Sequence, residues 1–262
     1  MIDSHCHLNF HSIKDDFENI ILEIKKANLT SLLTINTLPN EFNDHLNLIK
    51  NYKSIYISYG LHPQNVDNKI TITKDEILNN SLSPKVIGIG ETGLDFYHST
   101  EYKKNQYKVF ENHIEASIES KLPLIIHQRS SEDEIIDVLN NYQKNHKLSV
   151  VFHCFTGSKK LLNFCLDNLY YISLSGIITF KNADKLRDII KFADKDYLLI
   201  ETDSPFLAPM PMRGKSNKPS YVKYTAEFLS NFYNISFDKL VEITDNNFYK
   251  LFSKAKRYNE FQ

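Results

Sequence analysis

Six side chains of the kinds that bind divalent metals each stand at the end of a short apolar run, and these runs are spread along most of the chain. They are His5, His7, Glu91, His127, His153 and Asp203. Imidazole and carboxylate groups are common ligands of zinc, manganese and magnesium. A structural zinc finger gathers its ligands within a short loop, whereas these lie far apart. The pattern therefore predicts a metal-dependent hydrolase whose site is assembled from distant segments.

The number of ligands indicates two ions. Four imidazoles and two carboxylates are more than one tetrahedral ion requires, and a pair of ions about 3.5–4 Å apart suits phosphoryl hydrolysis. Glu91 is central in the order of the apolar runs, so we predict that it bridges the ions. The other ligands are predicted to divide into two groups, which are His5, His7 and Asp203, and His127 and His153. The ligand types leave Mg, Mn and Zn open.

Eight apolar runs that alternate with amphipathic segments must position these ligands. The predicted strands are residues 1–7, 31–36, 55–60, 86–91, 122–127, 149–153, 170–175 and 197–203. Several are nearly continuous apolar stretches, which is typical of parallel strands buried on both faces. Helical patterns cover residues 101–121, 131–146 and 237–256. The alternation predicts an α/β fold, a (β/α)8 TIM barrel formed as a single domain by residues 1–262, and 262 residues is the usual length for one.

A barrel also explains why the ligands follow the apolar runs, because barrel enzymes keep their chemistry at the carboxyl ends of the strands. His5 and His7 are two residues apart on one strand, so their side chains point to the same face, and Cys6 points to the other. We predict that Cys6 packs in the core. Four further histidines are predicted to be solvated, namely His11, His45, His113 and His146.

Composition excludes several other classes of protein. The net charge of −1 shows no broad basic footprint for nucleic acid. Three widely spaced cysteines make neither a disulfide framework nor a CxxC metal site. No apolar run reaches the length of a membrane-spanning helix, and the N-terminal residues do not have the pattern of a signal peptide. We therefore predict a cytoplasmic protein with no membrane partner, and its oligomeric state is left open.

Eight short motifs follow one another in order along the chain. They are residues 3–8 (DSHCHL), 60–63 (GLHP), 88–95 (GIGETGLD), 124–129 (LIIHQR), 153–157 (HCFTG), 179–183 (TFKNA), 201–205 (ETDSP) and 213–215 (RGK). Through them the chain resembles the TatD family of metal-dependent deoxyribonucleases, within the amidohydrolase-like superfamily. The resemblance implies hydrolysis of DNA, as a 3′-to-5′ exonuclease on single-stranded or damaged strands. It also implies the same six ligands, with Glu201 either a ligand of a third ion or a hydrogen-bond acceptor beside the ligands.

Further residues are predicted to act in catalysis or substrate binding. Glu91 and Asp203 are the predicted catalytic carboxylates, with Asp203 accepting the proton of an attacking water whose pKa the ions lower. His62 is predicted to contact a phosphate or donate a proton, with simple packing as the alternative. Four cations form a predicted phosphate clamp, with ordinary solvated charges as the alternative: Arg129, Lys181, Arg213 and Lys215. Three rim aromatics either stack on bases or pack the loops, namely Phe96, Tyr97 and Phe206.

Two other functions remain open on the sequence alone. The same metals would serve a D-aminoacyl-tRNA deacylase or a small-molecule amidase or esterase, because one barrel fold hosts many chemistries. A metal-dependent nucleic-acid-binding protein without catalysis is the second alternative, although a complete set of ligands argues against it. A panel of DNA, RNA and aminoacyl-RNA substrates would separate these functions.

Overall fold

Eight parallel strands pair with their neighbours in the order of the sequence, from β1 to β8. The structure is a computed structural model and describes all 262 residues. The strands are β1 (Ile2–Cys6), β2 (Ser31–Thr34), β3 (Ile55–Tyr59), β4 (Val86–Asp95), β5 (Leu124–Arg129), β6 (Val150–Phe152), β7 (Tyr171–Leu174) and β8 (Leu198–Ile200). The predicted (β/α)8 barrel is confirmed, with strand boundaries that differ from the predicted ones by at most four residues.

Hydrogen bonds between β1 and the segment after β8 complete the ring. Asp203 N donates to His5 O at 2.9 Å and His7 N donates to Ser204 O at 2.8 Å. Asp3 strengthens this seam, since its buried carboxylate accepts hydrogen bonds from N and Oγ1 of Thr202. The first and last strands, which are the most distant in sequence, therefore meet where both carry predicted ligands.

Ten α-helices surround the strands or close one end. They are α1 (His11–Lys14), α2 (Phe17–Lys26), α3 (Phe42–Ile49), α4 (Lys74–Ser81), α5 (Lys103–Ser120), α6 (Glu132–Gln143), α7 (Lys159–Asp167), α8 (Asp184–Ile190), α9 (Val222–Phe232) and α10 (Phe237–Leu251). Short 3-10 turns lie at Pro39–Glu41, Pro63–Asn65, Gly176–Thr179, Lys195–Tyr197 and Pro219–Tyr221. None of the helices combines the length and apolarity that crossing a bilayer requires.

The core has two layers because successive strand side chains point to opposite faces. The outer layer joins the strands to the helices and includes Cys6, as predicted. The inner layer fills the barrel with residues from seven strands, which are Ile2, Leu33, Tyr56, Ile87, Ile125, Val151 and Leu199. Phe248 and Phe252 of α10 pack against this inner layer. Because Ile2 begins β1, α10 closes the end of the barrel where the strands start, and the opposite end is free for chemistry.

Two of the four histidines predicted to be solvated are buried, so that prediction was wrong for His45 and His113. His45 lies on the packed face of α3, and its Nε2 is 2.8 Å from Thr34 Oγ1. His113 lies on the packed face of α5, where its Nδ1–H donates to Val109 O and its Nε2 accepts from Leu61 N. Backbone partners thus satisfy both nitrogens of His113, whereas His45 has a hydroxyl partner at Nε2 and a buried Nδ1 without one. His11 and His146 are exposed as predicted.

Candidate metal centre

The carboxylate of Glu91 lies at the centre of four imidazoles. Its Oε1 is 2.7 Å from His153 Nε2, 3.0 Å from His127 Nδ1 and 3.3 Å from His62 Nε2. Its Oε2 is 3.3 Å from Nε2 of His5. The side chain of Glu91 is buried, as are those of His5 and His153. Residues from four other strands or strand ends therefore converge on the carboxylate of Glu91.

An irregularity in β4 places Glu91 there. The strand was predicted to end at Glu91, but it continues to Asp95 because its pairing with β5 shifts register between Ile89 and Thr92. Gly90, in the middle of this shift, has a φ of +130°, and a Cβ there would lie 2.5 Å from the carbonyl oxygen of Ile125. Only glycine fits such an approach without displacing the backbone. The local sequence Gly-Glu-Thr-Gly therefore presses β4 against β5 and directs Glu91 inward.

A second group of ligands surrounds Asp203. Its Oδ1 lies 3.2 Å from His7 Nε2 and 3.7 Å from His5 Nε2. His5 and His7 share one face of β1 because they are two residues apart, and their rings lie edge to face with centroids 5.2 Å apart. His5 faces both Glu91 and Asp203, so it joins the two carboxylates into one continuous cluster.

His62 was not assigned as a ligand on the sequence alone, and the structure places it among the candidate ligands. It follows β3, and its Nε2 lies 3.3 Å from both Glu91 Oε1 and His127 Nδ1. Its Nδ1 accepts a hydrogen bond from Gln64 N at 3.1 Å, which holds the ring with Nε2 turned toward the cluster. The roles predicted for His62 in phosphate contact or proton donation stay predictions.

Two residues behind the cluster were missed by sequence reasoning: Asp95, which holds an imidazole directly, and Ser173, which holds Glu201. Asp95 Oδ2 accepts a hydrogen bond from Nε2 of His127 at 3.0 Å and another from Gln64 Nε2 at 2.6 Å. Ser173 Oγ donates to Glu201 Oε2 behind His153. Asp95 ends the GETGLD motif, which was the available signal, but the predicted end of the strand at Glu91 left its side chain unplaced.

Glu201 lies behind the candidate ligands and belongs to none of their groups. It is fully buried, and its Oε1 is 3.5 Å from Nδ1 of His153. Of the two roles that the sequence left open, this position favours a hydrogen-bond acceptor that orients His153 over a ligand of a third ion.

The charges of the cluster oppose the effect of burial. Burial by itself raises the pKa of Glu91, but the surrounding imidazoles, His153 first, hold that pKa well below its usual range. Burial also raises the pKa of Asp203, but the hydrogen bond with His7 outweighs burial, and the pKa of Asp203 is lowered. For His153, burial lowers the pKa but the charges of Glu91 and Glu201 raise it well above the usual value. The ionised carboxylates thus favour the protonated form of the His153 imidazole. A metal ion that binds this imidazole must therefore displace a proton.

The donor atoms fit divalent cations. Nε2 of His5, which faces both Glu91 and Asp203, is buried without a hydrogen-bond partner, which is costly unless a ligand binds it. Three groups bring their nitrogen and oxygen donors within 4.8 Å of one another, namely His5, His7 and Asp203; His5, Glu91 and His153; and His62, Glu91 and His127. The groups share His5 and Glu91, so the six predicted ligands and His62 form one candidate metal-binding cluster.

A cavity of about 630 Å³ opens over this cluster. Its metal-facing residues are His7, His62, Glu91, His127, His153 and Asp203. Its lining also includes the polar residues Arg129, Gln64 and Thr156 and the aromatic residues Phe10 and Phe206. The volume is within the range of pockets that enclose a small ligand or one end of a larger one.

The four predicted phosphate-binding cations do not come together. Arg129 lines the metal cavity, and its guanidinium lies 3.7 Å from the centre of the Tyr97 ring. Lys181 and Arg213 line a separate small pocket, where Arg213 stacks on Phe180 at 3.9 Å. Lys215 is exposed and lines neither pocket. Of the proposed clamp, only Arg129 is placed to reach a group bound at the metals.

Comparison with known proteins gives matches over nearly the whole chain. A family model described as TatD related DNase matches residues 2–253. An uncharacterised metal-dependent hydrolase of Buchnera aphidicola is 38% identical over 262 residues, covering 97% of this chain and 99% of that protein. The uncharacterised metal-dependent hydrolase YabD of Bacillus subtilis is 35% identical, with coverage of 96% and 98%. The crystal structure of YjjV, a TatD homologue from Escherichia coli, has a TM-score of 0.87 at 26% identity, covering 97% and 98% of the two chains.

Proposed function

Because this chain belongs to the TatD family of metal-dependent hydrolases, we propose that it is a deoxyribonuclease that shortens single-stranded or damaged DNA from the 3′ end. The observation that carries this proposal is the position of Glu91 among four imidazoles beneath a cavity. A carboxylate shared between two sets of ligands is suited to a pair of ions, and paired ions suit attack on a phosphodiester.

The residues of the cluster would hold two divalent ions, Mg, Mn or Zn, with Glu91 between them. His5, His7 and Asp203 form one set of donors, and His127, His153 and His62 surround the other side of Glu91. When bound, the ions would lower the pKa of a water molecule and screen the charge on the phosphate oxygens.

Asp203 is the proposed acceptor of the proton that the attacking water loses. Its pKa is lowered by His7 in spite of burial, so the carboxylate is ionised and able to accept. It also lines the cavity, whereas Glu201 is fully buried behind His153. A base must reach the proton that it removes, and of these two carboxylates only Asp203 does.

Arg129 is the proposed contact for the non-bridging oxygens of the phosphate, since it is the cation that lines the cavity. His62 faces the same space through Nε2. A His62→Gln variant assigns its role, because a ligand would be revealed by loss of bound metal. Loss of turnover with full metal content would instead assign proton donation to the leaving oxygen.

The direct test uses a single-stranded oligonucleotide labelled at its 5′ end, incubated with Mg²⁺, Mn²⁺ or Zn²⁺. We expect a ladder of products shortened from the 3′ end, and we expect Glu91→Ala to abolish it while circular dichroism remains unchanged. Glu111→Ala is the matched control, since Glu111 is exposed on α5. No product in any of the metals, or near-normal cleavage by Glu91→Ala, would refute the proposal.

The same preparation separates the alternative substrates. Faster turnover of D-aminoacyl-RNA or of a small ester or amide than of DNA would replace the proposed substrate and leave the metal centre intact. Tight binding of DNA without product, in every metal, would indicate a binding protein. The panel therefore decides between functions that share the same ligands.

A further inference from the structure

Two phenylalanine rings form one wall of the cavity beside the metal-binding cluster. The rings of Phe10 and Phe206 meet edge to face, with centroids 5.3 Å apart. Both line the cavity, and Phe206 leaves 46% of its surface exposed. Leu207 and Ile177 extend the same lining with further apolar surface.

This aromatic wall is in contact with the metal-binding cluster. The ring of His7 lies 5.3 Å from that of Phe10 and 6.2 Å from that of Phe206, centroid to centroid. His7 is in turn 3.2 Å from Asp203. A flat group resting on the phenylalanines would therefore sit directly beside a phosphate held at the cluster.

Hydrogen bonds fix the backbone that carries both rings. Asn217 is fully buried, and its Nδ2 donates to Thr202 O at 2.8 Å and to Phe206 O at 2.6 Å, while its N donates to Pro205 O. Phe10 is fixed at the start of α1, where its carbonyl accepts hydrogen bonds from the two amides at residues 13 and 14. A surface held in this way loses little conformational entropy when a ligand binds.

The facing wall is polar and cationic. Arg129 ends β5 and Gln64 donates to Asp95 of β4, and these two strands lie across the eight-stranded ring from β1 and β8, which precede Phe10 and Phe206. A ligand that complements both walls has a flat apolar part joined to an anionic part, which describes a nucleotide. Aromatic side chains bind single strands by stacking on bases.

We infer that Phe10 and Phe206 form a stacking subsite for one nucleobase adjoining the phosphate at the metal centre. This inference rests on the proposed function and adds to it the group that recognises a single strand. An unpaired base is free to leave its neighbours and stack here, whereas a base inside a duplex is already stacked. The subsite thus favours single-stranded ends over intact duplex.

The test is a double-mutant cycle between the protein and the DNA. The probe is a fluorescein-labelled single-stranded hexanucleotide with phosphorothioate linkages, which resist cleavage, and its Kd is measured by fluorescence anisotropy with Mn²⁺. A series of probes carries one abasic residue at each position in turn. The proteins are wild type, Phe206→Ala, Phe206→Leu and Phe10→Ala, with thermal melting to show that each is folded. Phe192→Ala is the matched control, because Phe192 is 54% exposed and does not line the cavity.

We expect one abasic position to weaken wild-type binding about tenfold, equivalent to about 1.4 kcal/mol. In Phe206→Ala and Phe10→Ala the same abasic position should cost less than about twofold, because the stacking partner is already gone. Phe206→Leu should lose most of the effect of the base although it keeps apolar volume, and Phe192→Ala should behave as wild type.

Two results would overturn the subsite. One is that the fold-changes in Kd from the abasic residue and from the protein substitution multiply, which means that the two changes are independent. The other is that no abasic position weakens wild-type binding. If wild type cleaves the ordinary oligonucleotide but the effects multiply, the nuclease stands and the subsite falls. If the cycle shows coupling but no metal supports cleavage, the base-binding subsite stands and the nuclease proposal falls. If the fold-changes in Kd multiply and Phe206→Ala selectively loses hydrolysis of aminoacyl-RNA, the aromatic wall would instead bind the amino-acid side chain of that substrate.

Discussion

The two ring nitrogens of His127 face two different carboxylates, with Nε2 3.0 Å from Asp95 and Nδ1 3.0 Å from Glu91. Asp95 is held by Gln64 and by the amide of Tyr97, so its position does not depend on His127. Burial opposes its ionisation, but the hydrogen bond from His127 and these donors lower the pKa of Asp95 to about 2. Asp95 therefore keeps the proton of His127 on Nε2 and leaves Nδ1 free to bind a cation.

We expect Asp95→Ala to weaken metal binding by about 10- to 100-fold, which is the usual effect of removing a carboxylate that orients a histidine ligand. Asp95→Asn, which keeps an acceptor oxygen, should lose less. Isothermal titration calorimetry with Mn²⁺ or Zn²⁺ measures both Kd values, and circular dichroism verifies the fold. A Kd for Asp95→Ala within twofold of wild type would show that His127 needs no such support.

Gly90→Ala tests the irregularity in β4 that directs Glu91 inward. The added Cβ would meet Ile125 O at 2.5 Å with φ at +130°, so we expect a loss of about 3 kcal/mol in the free energy of unfolding. Gly214→Ala is the control, since Gly214 has a φ of +84° and a Cβ added there would have no neighbouring atom within 4 Å. It should lose only about 1 kcal/mol, from backbone strain alone. Urea unfolding measures both, and equal losses would contradict the close approach.

The positions of the candidate ligands along the sequence were enough to predict the barrel and the end of it at which these side chains gather. Parallel strands buried on both faces are nearly continuous apolar runs, and their carboxyl ends meet on one rim. His5, His7 and Asp203 therefore had to lie close together, and so did His127 and His153 once Glu91 was placed between them. The structure brings all six together.

Other features depended on backbone pairing that residue types do not reveal. The register shift after Ile89 extends β4 to Asp95, and that extension brings Asp95 to His127. The burial of His113 depends on an amide of the β3 loop that lies 52 residues away in the chain. The loop after β8 stacks Arg213 on Phe180, in a pocket separate from the cavity over the candidate ligands. Each of these outcomes is decided by contacts between segments that are distant in sequence.

His113 predicts how stability depends on pH. Burial lowers the pKa of this histidine from its usual 6.5 to about 4, so between those values the unfolded chain binds a proton that the folded protein does not. The contribution of His113 to the free energy of unfolding is therefore fully present above pH 6.5. It is lost as the pH falls toward 4, by roughly 1.4 kcal/mol per pH unit. In His113→Gln we expect the slope of unfolding free energy against pH to decrease by about that amount. Urea titrations from pH 4.5 to 7 measure it, with His11→Gln as the exposed control, and an unchanged slope in His113→Gln would contradict the assignment.

Arg129 and Lys215 give opposite expectations for the dependence of DNA binding on salt. Each phosphate contact made with single-stranded DNA contributes about 0.7 to the slope of log K against log salt concentration. Arg129 lines the cavity and is held against Tyr97. Arg129→Ala should therefore reduce the magnitude of that slope by about 0.7, the share of one phosphate contact, and weaken binding to all sequences alike. Lys215 is exposed outside the cavity, so Lys215→Ala should leave the slope unchanged. Anisotropy titrations of a phosphorothioate hexanucleotide between 50 and 200 mM NaCl measure both slopes. A reduced slope in Lys215→Ala with none in Arg129→Ala would mean that the DNA crosses residues 205–219, the loop after β8 that contains four prolines, and does not pass Arg129 at the end of β5.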